Sequence, residues 1–121
     1  MRWLVHGSLS NAVTEALVRH GHKAQTPAEI ELQPEASPAD VLETANAKQI
    51  DIVTNDPALA NAPFESQIKF GRSLVFLQLA GGDVEQDDAI DRLFTRYKRL
   101  TPGRMYTVTE NRVKIRQLPG K

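Results

Sequence analysis

The chain has 121 residues, a length at which one domain can bury a core without disulfides or metal ions. It has no cysteine, which excludes disulfide scaffolds, cysteine-based zinc sites and thiol nucleophiles. Lys plus Arg and Asp plus Glu both total 15, so the whole molecule exerts no net long-range attraction on nucleic acid or anionic membranes. These bounds predict one globular domain over residues 1–121, and a nucleic-acid role would require a local basic patch.

The distribution of apolar residues predicts the location of the protein. The apolar run at the N-terminus is broken at His6 and Gly7. No later run approaches the roughly 18 apolar residues that a membrane span requires. We therefore expect a cytoplasmic protein without membrane association.

The first part of the chain predicts a strand, a helix and a second strand. Residues 2–6 are mostly apolar and are followed by Gly7, which is typical of a buried strand that enters a turn. Ser10 is placed to cap a helix whose apolar positions recur every three or four residues, and Gly21 is placed to end it. A short strand is expected over about 22–26, followed by a polar loop.

A second helix and a third strand follow. Ser37 is a helix cap with Pro38 at the first helical position, and Asp40 lies three residues after the cap. Residues 50–53 predict a buried strand that ends in the polar run 54–56. Pro57 is expected to open a short helix or turn.

The second half of the chain predicts a central strand, a helix and a hairpin. Residues 73–79 are apolar on both faces of a strand, which favours a position in the middle of a sheet. A helix is expected to begin at Asp83 and to stop before 101–103. Residues 105–118 alternate in polarity around a turn at 110–111, which indicates two antiparallel strands.

This order of elements predicts an α/β fold. Strands and helices that alternate in this order form, through right-handed crossovers, a mostly parallel sheet with helices on both faces. We therefore expect a three-layer α/β/α sandwich with the C-terminal β-hairpin at one edge of the sheet.

Polar side chains follow the predicted first and third strands directly. His6 and Ser8 come after the first strand, and Thr54, Asn55 and Asp56 end the third. Because ligands of open parallel sheets collect at the carboxyl ends of the strands, these residues form the candidate site.

Five short segments in chain order carry a resemblance to a known family. They are residues 3–9 (Trp-Leu-Val-His-Gly-Ser-Leu), 19–22 (Arg-His-Gly-His), 37–42 (Ser-Pro-Ala-Asp-Val-Leu), 52–56 (Ile-Val-Thr-Asn-Asp) and 112–118 (Arg-Val-Lys-Ile-Arg-Gln-Leu). Together they resemble the PIN-like domain family in its compact, stand-alone bacterial form. Each segment is short, so the resemblance depends on their order over nearly the whole chain.

The resemblance implies a metal-dependent ribonuclease, often the toxin half of a toxin-antitoxin pair. Mg²⁺ or Mn²⁺ would be held between carboxylates, because hard cations prefer oxygen ligands. Asp40 and Asp56 fall on acidic, catalytic positions of the family pattern, with Thr54 and Asn55 as polar neighbours. The partners implied are RNA, an antitoxin-like protein and a second copy of the chain.

The sequence departs from the family pattern at its first acidic position. That position falls on His6, and the next residue, often acidic in the family, is Gly7. Neutral imidazole is a poor ligand for Mg²⁺ and removes one negative charge from the site. Two main hypotheses therefore remain open: a ribonuclease with His6 as a third ligand, and a catalytically inactive module that binds RNA or protein. A weaker third hypothesis is a structural subunit that meets its partner through the apolar strand face or the terminal hairpin.

Each candidate residue also has a purely structural interpretation. Asp56 before Pro57 can be a helix cap, and Asp40 can close a capping box with Ser37. His6 can be a hydrogen-bonded residue of the core or loop.

The basic residues of the last segment have two interpretations as well. Arg112, Lys114 and Arg116 alternate along the last predicted strand and lie on one face. They could follow a phosphate backbone, or they could protect an edge strand against aggregation.

Overall fold

The computed structural model describes residues 2–119, so Met1, Gly120 and Lys121 of the predicted 1–121 domain lie outside the described residues. Its elements in chain order are β1 (Arg2–His6), α1 (Asn11–Arg19), β2 (Lys23–Gln25), a 3-10 turn (Ala28–Ile30), α2 (Pro38–Lys48), β3 (Asp51–Thr54), α3 (Pro57–Glu65), β4 (Leu74–Leu77), α4 (Asp83–Arg96), β5 (Arg104–Val108) and β6 (Val113–Gln117).

All six strands form one sheet with the order β2-β1-β3-β4-β5-β6. Strands β1 to β5 are parallel, and β6 pairs antiparallel with β5 at the edge. Helices α2 and α3 pack on one face of the sheet, and α1 and α4 pack on the other. The predicted three-layer α/β/α sandwich with an edge hairpin is confirmed.

One connection departs from the expected right-handed crossovers. The β3-α3-β4 and β4-α4-β5 connections step in the same direction across the sheet, but α3 and α4 lie on opposite faces. The two crossovers therefore have opposite hands, although nearly all such units are right-handed. As a result α4 packs beside α1, where Arg19 donates two hydrogen bonds to Asp87 at 3.0 and 2.8 Å.

The helix starts follow the cap residues predicted from the sequence. The side chain of Ser10 accepts from the amide of Ala12 at the start of α1. That of Ser37 accepts from the amide of Asp40 in α2. These caps satisfy amides that have no partner within the helix, and they fix where each helix leaves its loop.

The core consists of two apolar layers, one on each side of the sheet. Alternate strand residues supply them, so Leu4 and Ile52 face α2 and α3, whereas Trp3 and Val53 face α1 and α4. Strand β4 is buried on both faces, as predicted for a central strand.

A buried charged residue, Asp51, is the first residue of β3, at the end of the strand away from Thr54. Asp51 is fully buried, and its carboxylate accepts from the amide of Ser73 at 2.8 Å and from the guanidinium of Arg72 at 3.3 Å. These bonds align β3 with the start of β4.

Among residues 2–119, no helix is long and apolar enough to cross a membrane.

Candidate functional site

The predicted site lies where the strand order of the sheet reverses. From β1 the chain goes to β2 on one side, and β3 pairs with β1 on the other. Connections that diverge in this way leave a crevice at the carboxyl ends of the two strands. His6 and Thr54 are direct neighbours there in the register of β1 and β3.

The His6 side chain is bound to β3 by a hydrogen bond. Its Nδ1 lies 2.9 Å from the Thr54 hydroxyl oxygen, which also accepts from the amide of Asp56 at 3.0 Å. One carboxylate oxygen of Asp56 accepts from the amide of Ala58 at 2.9 Å and so caps α3. The structural roles considered for His6 and Asp56 are therefore both present.

The protonation of His6 follows from its surroundings. Burial lowers the pKa of the imidazole from its ordinary value, and the negative charge of Asp56 offsets only part of this effect. The imidazole is therefore neutral at pH 7. With Nε2 protonated, the Thr54 hydroxyl donates to Nδ1; in the other tautomer, Nδ1-H donates to the hydroxyl.

A second pair of hydrogen bonds joins the same two loops. The amide of Ser8 donates to Oδ1 of Asn55 at 3.0 Å, and Nδ2 of Asn55 donates to the Ser8 hydroxyl at 3.0 Å. We call the four residues His6, Ser8, Thr54 and Asn55 the loop clasp. It links the ends of β1 and β3 through neutral side chains.

The glycine inside this turn is required by the close approach of the loops. Gly7 has a φ of +90°, and a Cβ at this position would collide with Oδ1 of Asn55. Larger residues at this position would have to push the clasp open. The acidic residue that the PIN-like pattern often carries here is therefore incompatible with the clasp as it stands.

Asp40 lines a groove that none of the four clasp residues lines. It is exposed on the first turn of α2 and lines a groove of about 390 Å³ together with Glu31, Glu35, Glu43 and Thr44. Its backbone amide is bound to the Ser37 hydroxyl at 3.2 Å. No hydrogen bond among the described residues joins its carboxylate to the clasp.

The described side chains do not fit a divalent-cation centre with three protein ligands. Among residues 2–119, no three His, Cys, Asp or Glu side chains are grouped closely enough to hold a metal ion. Of the carboxylates within residues 2–119, Asp56 is the one whose charge acts on His6, and one of its oxygens already caps α3. Ligation of Mg²⁺ or Mn²⁺ by His6, Asp40 and Asp56 stays a prediction that this arrangement does not support.

A neighbouring groove was not predicted from the sequence. It has about 400 Å³ and lies beside the clasp at the carboxyl ends of β3 and β4, lined by Asn55, Pro57, Phe76, Gln78 and Glu110 among others. The sequence placed Gln78 inside the predicted strand 73–79, which ends at Leu77, and Glu110 in the hairpin turn, so neither was a candidate site residue.

Gln86 is a second residue that the sequence did not reveal. It belongs to α4 and is almost fully buried, and its Oε1 accepts from the amide of Ser10 at 2.9 Å. The loop after β1 is therefore held by α4 as well as by β3. Only the packing of α4 against α1 brings Gln86 to this position.

The predicted basic side chains lie far along the sheet from the clasp. Arg112 precedes β6, and Lys114 and Arg116 are exposed on it, four positions away from β1 in the strand order. The Arg116 guanidinium lies 3.7 Å from the centre of the Phe64 ring. We call these three residues the basic strip.

Comparisons with models of known protein families, with curated proteins and with solved structures find no match for this chain. Membership of the PIN-like family therefore stays a prediction from the ordered sequence segments.

Proposed function

We propose that this chain is a PIN-like domain derived from metal-dependent ribonucleases that no longer hydrolyses RNA and acts as a binding module. The observation that carries the proposal is the loop clasp. Where the family pattern has acids that converge on a cation, His6 and Thr54 bind each other directly, and so do Ser8 and Asn55.

The electrostatics of the clasp support the same proposal. Converging carboxylates repel each other and depend on a bound cation, whereas a neutral imidazole beside Asp56 does not. Because burial lowers the pKa of His6, the four clasp residues are mostly uncharged at neutral pH, and the charge next to them is that of Asp56. Its hydrogen bonds join the two strand ends through protein groups alone.

The second candidate is an active Mg²⁺- or Mn²⁺-dependent ribonuclease, the toxin of a toxin-antitoxin pair. The position of Asp56 favours it, because this acid lies at the carboxyl end of β3, next to His6 and at the reversal of strand order. In this candidate Asp56 and Asp40 would be the catalytic acids.

A cleavage assay separates the two candidates. The purified chain is incubated with single-stranded RNA and either Mg²⁺ or Mn²⁺, beside the Asp56→Asn variant as a matched control. We expect no cleavage above the control from either protein. Cleavage by the wild type that needs the metal and is lost in Asp56→Asn would overturn the proposal in favour of the ribonuclease.

The origin of the fold from a nuclease is tested by restoring the missing acid. His6→Asp places a second carboxylate beside Asp56, so Mn²⁺ should raise the melting temperature of this variant and leave that of the wild type unchanged. The double variant His6→Asp with Asp56→Asn should lose the response. An equal response of all three proteins would contradict the proposed relation to metal-dependent enzymes.

A further inference from the structure

Strand β6 presents a backbone edge without a partner strand among residues 2–119. It is the last strand in the sheet order and pairs only with β5. The amide of Thr109 donates to the carbonyl of Arg112 at 2.9 Å, which sets the alternation of the hydrogen bonds in the hairpin. By this alternation, the N-H and C=O groups of Val113, Ile115 and Gln117 point outward.

The side chains on one face of this edge carry positive charge. Arg112, Lys114 and Arg116 occupy alternate positions, and the ion pairs among residues 2–119 involve other groups. Packing of Arg116 over Phe64 orders its guanidinium beside α3. A strand that paired with β6 would place its own side chains next to this basic strip.

The other face of the edge carries the apolar side chains of Val113 and Ile115 beside the polar Gln117, and it adjoins a groove. Val113 packs against the core layer of α1 and α4, and Ile115 is 42% exposed. A groove of about 450 Å³ lies between the end of α4 and the hairpin, lined by Arg92, Thr95, Arg96 and Val113 and also by Arg112, which precedes β6 at the end of the basic strip. Apolar side chains of an added strand would cover Ile115 and reach this groove.

From this pattern we infer that β6 is the docking edge for an extended, acidic segment of another polypeptide, which adds to the sheet as a seventh strand. The segment would alternate acidic residues, opposite the basic strip, with apolar residues, opposite Ile115. Backbone hydrogen bonds along an edge supply affinity in this mode, and alternate side chains supply specificity.

Two other occupants fit the edge less well. A second copy of β6 would set like charges opposite one another, which destabilises a strand pair. RNA would engage the basic strip but would leave the outward backbone groups and Ile115 unused, and the chain has no net positive charge to attract it.

The experiment measures binding of a blocked, fluorescein-labelled peptide of alternating Glu and Val by fluorescence polarisation. A peptide with Lys in place of each Glu is the matched control. We expect the acidic peptide to bind and the basic one not to bind. Lys114→Glu should weaken binding about 10-fold, whereas Lys48→Glu, on α2 and away from β6, should leave it unchanged.

The role of the backbone edge is tested by Ile115→Pro. This substitution removes an outward N-H group but no hydrogen bond to β5, so it should abolish peptide binding while far-UV circular dichroism stays native. If the variant does not fold, the double reversal Arg112→Glu with Lys114→Glu replaces it and should abolish binding as well.

Several outcomes overturn the inference. They are equal affinity for both peptides, unchanged binding by Lys114→Glu, displacement of the acidic peptide by single-stranded RNA, and a wild-type dimer that Ile115→Pro dissociates. The inference rests on the proposed binding function but fails separately from it. If the chain does not cleave RNA and does not bind the peptide, the docking edge is wrong and the proposed loss of hydrolysis stands. If the chain cleaves RNA and also binds the peptide, the loss of hydrolysis is wrong and the docking edge stands.

Discussion

The loop clasp predicts a measurable coupling between two loops that are 47 residues apart in the chain. Asn55→Ala removes two hydrogen bonds to Ser8, and Ser8→Ala removes only the bond to its hydroxyl. Since Ser8 is exposed and Asn55 is only half-buried, each bond contributes about 0.5–1 kcal/mol. We expect a free energy of unfolding lowered by about 1–2 kcal/mol in Asn55→Ala and by about 0.5–1 kcal/mol in Ser8→Ala.

The coupling is measured by urea unfolding of both single variants and the double variant. Because Ser8→Ala removes nothing further once Asn55 is alanine, the double variant should match Asn55→Ala, with a coupling energy of about 0.5–1 kcal/mol. Ser8→Ala combined with Asn46→Ala is the control, since Asn46 bonds to the amide of Gly71 elsewhere. Additive effects of Ser8→Ala and Asn55→Ala would refute the clasp.

Three further predictions concern the surroundings of the clasp and the opposite end of β3. Asp51→Ala should lower the free energy of unfolding by about 2–4 kcal/mol in the same assay, because it leaves the buried amide of Ser73 without an acceptor; a loss below about 0.5 kcal/mol, as at ordinary surface positions, would contradict this. Burial lowers the pKa of His6, so the unfolded chain binds more protons than the folded chain as the pH falls through about 6.5 towards the lowered value. The folded state therefore loses stability as the pH falls over that range. In His6→Gln the unfolding midpoint should depend less on pH, and the dependence that remains is due to His22, whose pKa burial also lowers. A midpoint that depends on pH as in the wild type would show that His6 is not the titrating group. Gly7→Ala should cost about 1–3 kcal/mol, because it places a methyl group at positive φ against the clasp; circular dichroism melting checks this, and a neutral result would mean that the loops are not closely packed.

Local sequence signals identified most of the fold. Ser10 and Ser37 cap helices because their hydroxyls satisfy amides within three residues, and such interactions are complete within a short segment of chain. The apolar run at 73–79 predicted a central strand because a strand that is buried on both faces has apolar residues at successive positions instead of alternating apolar and polar ones. Structural features that depend on residues close together in the chain, such as helix starts and buried strands, can therefore be predicted from the sequence.

The site was less predictable because its geometry depends on contacts between distant segments. The sequence placed Asp40 and Asp56 at helix starts, and both are there, but it did not show the groove that Asp40 lines together with Glu31 and Glu35. The bond between Gln86 and Ser10 exists only because α4 lies on the face of α1. The uncommon hand of the β4-α4-β5 crossover places α4 on the same side of the sheet as α1, and no residue pattern within α4 predicts that hand.

Under the proposed PIN-like origin, His6 at the first acidic position of the family pattern and Gly7 after it are explained as one change. A carboxylate at position 6 would stand beside Asp56 and would require a cation, whereas a neutral imidazole bonds to Thr54 and lets the two strand ends approach each other. That approach leaves no room for a side chain at position 7, so glycine there is a consequence of the closed clasp. Restoring the acid at position 6 alone should therefore recover cation binding but only a partly formed site, until the bonds between Ser8 and Asn55 are also released.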